Sequence, residues 1–81
     1  MNLLTQFLEE DATDKIRQLL MQSIASLEQS NERRVQDFTF NRFNVRIDSE
    51  QALVTLEDEL DTSEQGKMEI PLAIFTSALT K

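Results

Sequence analysis

Five carboxylates stand within eight residues, Glu57, Asp58, Glu59, Asp61 and Glu64, in the segment TLEDELDTSEQGK spanning 55–67. Acids this dense can hold a cation, share protons in catalysis, or face a basic partner. A calcium loop needs oxygen ligands at close alternate positions, a central glycine and a distant bidentate carboxylate. DELDTSEQG lacks that spacing, and its flanks read as strands where such a loop has helices. No metal or other cofactor is therefore expected.

Glu57 and Glu59 share one phase of a strand, which sets them roughly 7 Å apart, a separation at which two carboxylates can divide acid and base roles. That chemistry also needs a dry pocket to raise one proton affinity, and an alternating strand in a chain of 81 residues leaves this face to water. The remaining catalytic inventory is thin. There is no His, Cys or Tyr, and the serines have no imidazole to activate them. Gly66 is the only glycine, so no phosphate-cradling loop exists. The residues argue against an enzyme.

Charge arrangement is what remains. Residues 48–69 carry Asp48, Glu50, Glu57, Asp58, Glu59, Asp61, Glu64 and Glu69 against Lys67 alone, while Arg33, Arg34, Arg42 and Arg46 form the one basic stretch. The net charge of −7 repels nucleic-acid backbones and anionic membranes at long range and suits a basic protein partner. No run approaches the roughly 18 apolar residues of a membrane span, and the N-terminal stretch lacks a basic leader. A cytoplasmic protein is the expectation.

The elements that must position these acids follow from periodicity. Leu3, Leu4, Phe7 and Leu8 give one stripe of a short helix at about 2–9, and Ile16, Leu19, Leu20, Ile24 and Leu27 give another at about 12–30. A single straight helix would let the stripe drift, so a break is expected near Asp11, which with Asp14 reads as an N-cap. The period then changes to two. Phe38 and Phe40 alternate, and Phe43, Val45 and Ile47 alternate on the opposite parity. A β-bulge at Asn41–Arg42 would bring all five to one face of a strand at about 36–47.

DSEQ is turn chemistry, and a second strand at about 52–60 carries Val54, Leu56 and Leu60 inward. A four-residue loop pairs Ile47 with Ala52, Val45 with Val54, Phe43 with Leu56 and Arg42 with Glu57, and the bulge then sets Phe40 against Asp58 and Phe38 against Leu60. On this phase Glu57, Glu59 and Asp61 are solvated, and Asp58 is the exception, facing inward near Asn41 or an arginine. Gly66 is expected to supply a positive φ before a third strand at about 67–71. Pro71 has no N–H and so belongs on an edge or in a first helical turn. Leu72, Phe75 and Leu79 close the chain as a helix at about 72–80.

The fold expected is a single α+β domain over 1–81 in the order α-α-β-β-β-α, a three-stranded antiparallel meander with helices on one face. Cross-strand pairs cannot absorb eight acids. The expected function is a small acidic, non-catalytic interaction module of adaptor, regulator, inhibitor or immunity type. Glu57, Glu59, Asp61 and Glu64 would steer a basic protein partner, with Leu53, outward on its strand, as an apolar anchor. The alternative is a homodimer or small structural subunit that uses the open sheet face. Met21 and Ile74 lie off their helical stripes and have no obvious place in the core.

Overall fold

The computed structural model describes residues 3–29, 35–61, 63 and 66–80. Three helices and a four-stranded antiparallel sheet follow one another as α1 (Leu3–Glu10), α2 (Asp14–Gln29), β1 (Val35–Thr39), β2 (Phe43–Asp48), β3 (Leu53–Asp58), β4 (Lys67–Pro71) and α3 (Leu72–Leu79). The strands lie in chain order β1-β2-β3-β4. The α+β class and the three helices stand as expected, but the sheet has four strands where three were predicted.

The extra strand comes from the parity change at Asn41–Arg42. No bulge forms there; the chain reverses, and β1 pairs antiparallel with β2, Gln36 opposite Ile47 and Phe38 opposite Val45. A reversal across two residues makes partners of odd and even positions, so it produces the same parity flip that a bulge would. Phe38, Phe40, Phe43, Val45 and Ile47 do share one face, as expected, but on two strands.

The next register also differs from expectation, by two residues. Phe43 lies opposite Asp58, Val45 opposite Leu56 and Ile47 opposite Val54, so the loop is Ser49–Ala52. A two-residue slip keeps every side chain on its face, which is why the hydrophobic pattern could not detect it. Asp48 selects the true register, its Oδ1 accepting the N–H groups of Glu50 and Gln51 at 2.9 and 3.1 Å. Ala52 completes the turn at φ 55°.

Helices α1 and α3 lie against β3 and β4, and α2 packs on α3. Phe7, wholly buried, sits at the centre: its ring centroid is 5.7 Å from Phe43 in an edge-to-face contact and 6.1 Å from both Phe40 and Phe75. Around it close Leu20, Ile24, Leu27, Val45, Ile47, Val54, Leu56, Ile70, Leu72 and Leu79. Two helical assignments need correction. Leu19 is exposed and Met21 packs against the core, because the buried arc of α2 is centred between Leu20 and Ile24 and so takes in Met21 while excluding Leu19. Ile74 is exposed, consistent with its place off the stripe of α3.

The helical break falls at Asp11 as expected, but Asp11 is not the cap. Thr13 is: its Oγ1 accepts the N–H of Ile16 at 3.3 Å and its carbonyl the N–H of Arg17 at 2.9 Å. Arg17 then ties the helix ends together, its Nε donating to the Ala12 carbonyl at 2.9 Å and its terminal nitrogens to those of Leu8 and Leu79 at 3.4 Å. Gly66 has no positive φ, contrary to expectation. Its constraint is space, since a Cβ there would lie 2.0 Å from the Asp61 carbonyl oxygen.

Candidate functional site

The helices cover one face of the sheet; no described helix lies on the other. The three registers set the open face out as rows. One runs Asp37, Arg46, Thr55, Glu69; the next runs Thr39, Asn44, Glu57, Lys67; the third runs Val35, Asp48, Leu53, Pro71. A shallow groove of about 420 Å³ follows the first two rows, bordered by Asp37, Thr39, Asn44, Arg46, Thr55, Glu57, Glu59 and Lys67. Among the described residues this face carries five carboxylates (Asp37, Asp48, Glu57, Glu59, Glu69) against the two cations Arg46 and Lys67.

Arg46 and Asp37 pair across β1 and β2, Nε to Oδ1 at 2.7 Å, with both side chains about three-fifths exposed (62% and 63%). That hydrogen bond is the main cause of the raised pKa of Arg46. Pairs this solvated add little stability, so Asp37 and Arg46 retain their capacity to interact with other groups.

The sequence-predicted residues scatter around this groove. Glu57 is exposed in the middle row beside Asn44 and Lys67, and Glu59 is exposed just past β3, its N–H donating to the Arg42 carbonyl at 2.9 Å. Leu53 is half-buried between Asp48 and Pro71. Asp61 is half-buried, and its Oδ1 accepts both the N–H (3.0 Å) and the hydroxyl of Ser63, so it is committed to its own turn. Glu64, Arg33 and Arg34 lie outside the described residues. Leu60, expected inside, is 80% exposed because β3 ends at Asp58. Sequence reasoning passed over Asp37, Thr39, Asn44, Thr55 and Lys67, although the outward phase of each strand would have grouped them once the fourth strand was known.

Asp58 and Asp11 form a second acidic locus, buried at the opposite face. Asp58 is 3% exposed. Its carboxylate receives Arg42 Nε at 3.2 Å, an Arg42 terminal nitrogen at 2.9 Å and the Leu60 N–H at 2.9 Å. The Arg42 hydrogen bond holds it below the usual carboxylate range; burial opposes that, and the Leu60 N–H and the guanidinium charge add to it. Arg42 also pairs with Glu10 and stacks its guanidinium 5.6 Å from the centroid of the Phe43 ring. The expected Arg42–Glu57 pairing does not form, because the register places Asn44 opposite Glu57. Asp11, likewise 3% exposed, accepts the N–H groups of Arg42 and Phe43 on one oxygen at 2.9 Å each. Every contact of these acids ends on the fold itself, so this locus is structural.

Among the described residues no group of three or more metal-ligating side chains converges, and no helix is long and apolar enough to cross a membrane. No family model, no curated protein and no solved structure matches this chain.

Proposed function

We propose that the protein is a small non-catalytic interaction module whose open sheet face docks onto a basic protein surface. One observation carries the reading: the face without a helix is concave and, among the described residues, bears five carboxylates against two cations. Glu57 and Glu59 are the steering charges, since both are exposed at the groove and neither side chain serves a turn or core contact. Leu53, with Val35 and Pro71 at the far row, supplies an apolar anchor. Complementary charge of this kind acts mainly on the association rate and its salt dependence.

The test is retention of proteins from the source lysate at low and moderate salt, comparing the native chain with Glu57→Lys/Glu59→Lys. A stoichiometric partner lost from the variant and weakened by salt supports the reading. An identical set of proteins held by both chains refutes it. A second reading, a homodimer through the same face, draws on Val35, Leu53 and Pro71 in the row that Asp48 interrupts, with Val35 half exposed. Light scattering across a concentration series decides it: a constant monomer mass removes that reading.

A further inference from the structure

The two edges of the sheet are built differently. The Phe40 N–H donates to the Phe43 carbonyl at 2.9 Å, which fixes the hydrogen-bonded pairs of β1 and β2. Alternation along an antiparallel ladder then turns Gln36 and Phe38 toward β2, and leaves the N–H and C=O of Val35, Asp37 and Thr39 facing outward. On the other edge the Leu72 N–H donates to the Ala52 carbonyl at 2.8 Å, so Val54–Ile70 and Leu56–Met68 are the bonded pairs of β3 and β4. The outward positions of β4 are therefore Lys67, Glu69 and Pro71. Pro71 has no N–H to offer, and two charged side chains flank the other two donors, features that discourage strand pairing.

Edge β1 has no proline and a single charged side chain, Asp37, at its outward positions. Its three outward positions keep all three N–H groups, and no described residue pairs with them. Phe38 and Phe40, stacked with centroids 6.1 Å apart, extend the core to this edge and remain only partly buried. Gln36 Oε1, enclosed on the same face, has no hydrogen-bond partner among the described residues. A strand laid along β1 would cover the two rings and complete the ladder.

We propose that β1 accepts an extended basic strand from a partner, in antiparallel addition to the sheet. This rests on the docking reading and gives the partner its chemistry: lysine or arginine on alternate positions, over the outward row led by Asp37, with apolar or hydroxyl side chains between them, over Phe38 and Gln36. Charge selects this occupant over a second copy of the chain. Each copy carries −7, and the self-pairing that uses all of Val35–Thr39 sets Asp37 against its own counterpart.

The test uses the ¹⁵N-labelled chain and the capped peptide Val-Lys-Val-Lys-Thr-Lys, with Val-Val-Thr-Lys-Lys-Lys as a control of equal composition. The expected result is selective slowing of amide exchange at Val35, Asp37 and Thr39 with the alternating peptide, and not with the control. Thr39→Pro removes an outward N–H that the fold does not use, so the variant should keep its dispersed spectrum and bind roughly tenfold more weakly. Equal binding of both peptides, or unchanged exchange at the three amides, overturns the proposal. Protection that instead grows with protein concentration alone assigns the edge to a second copy and overturns the choice of partner. Should shifts gather at Thr55, Glu57 and Lys67 while β1 stays silent, strand addition fails and face docking stands. Loss of both responses removes the docking reading too.

Discussion

The sheet reverses twice in its first three strands, and the two turns are held by opposite means. Between β2 and β3 the turn is built mainly from its own residues: Asp48 accepts two N–H groups within three residues and Ala52 takes the left-handed conformation, with the Leu72 N–H donating to the Ala52 carbonyl from outside the loop. Between β1 and β2 the turn has no glycine, and neither Asn41 nor Arg42 has the positive φ that favours two-residue hairpins. The Phe43 N–H donates not to Phe40 but to Asp11, 32 residues earlier in the chain. Arg42 is anchored in turn on Asp58 and Glu10. A turn of poor local chemistry is thus completed by the helical junction beneath it, through Asp11.

The contrast is sharpest at Asp11. Asp11→Ala leaves one buried and one partly buried N–H group without its acceptor and should cost about 2–4 kcal/mol, read as a fall in the urea midpoint. Asp11→Asn keeps an oxygen for both donors and should recover much of that loss. If Asp11→Ala costs no more than a surface substitution, the turn is local after all.

Next comes the Arg42–Asp58 pair. Arg42→Met alone strands the buried Asp58 carboxylate, whereas Asp58→Leu leaves Arg42 partly exposed and still paired with Glu10. Arg42→Met should therefore be less stable than the double replacement, which removes both charges. A double variant worse than Arg42→Met would contradict this. The pair also sets a pH dependence. Because the folded pKa of Asp58 is depressed, its contribution is present above the unfolded value, about 3.9, and is lost as pH falls through the folded one. Acid unfolding below about pH 4 should therefore be shallower in Arg42→Met than in the native chain.

Smaller effects belong to the local turn. Asp48→Ala removes two exposed hydrogen bonds and should cost about 1 kcal/mol. Ala52→Gly relieves a left-handed alanine and should stabilise by up to about 1 kcal/mol, with thermal melting as the check. Smallest is Arg46→Ala on the open face, which should move the melting temperature by about 2 °C or less, and less still at high salt. A large loss there would mean that the open face is part of the fold and not a free surface.

Much of this architecture was legible in residue types. The stripes of α1 and α2, the break at Asp11, the inward Phe43, Val45, Ile47, Val54 and Leu56, and the edge position of Pro71 all follow from period and backbone chemistry. Asp58 was also marked, as the one acid on the core phase. Legibility ended where two solutions share a parity. A bulge and a reversal at Asn41–Arg42 place the same aromatics on the same face, and a register slip of two residues changes no face at all. The groove-lining Asp37 and Thr39 were hidden for the same reason, since they join Asn44, Thr55 and Lys67 only when β1 is a strand of its own.

The sequence by itself determined which faces are apolar, where the helices break and that acid exceeds base, because these depend on local period and composition. Tertiary structure decided how the chain turns at Asn41–Arg42, which arginine Asp58 meets and which sheet edge is left open. Those outcomes depend on contacts far apart in the chain, above all the Asp11 carboxylate that meets the Arg42 and Phe43 N–H groups from 31 and 32 residues away.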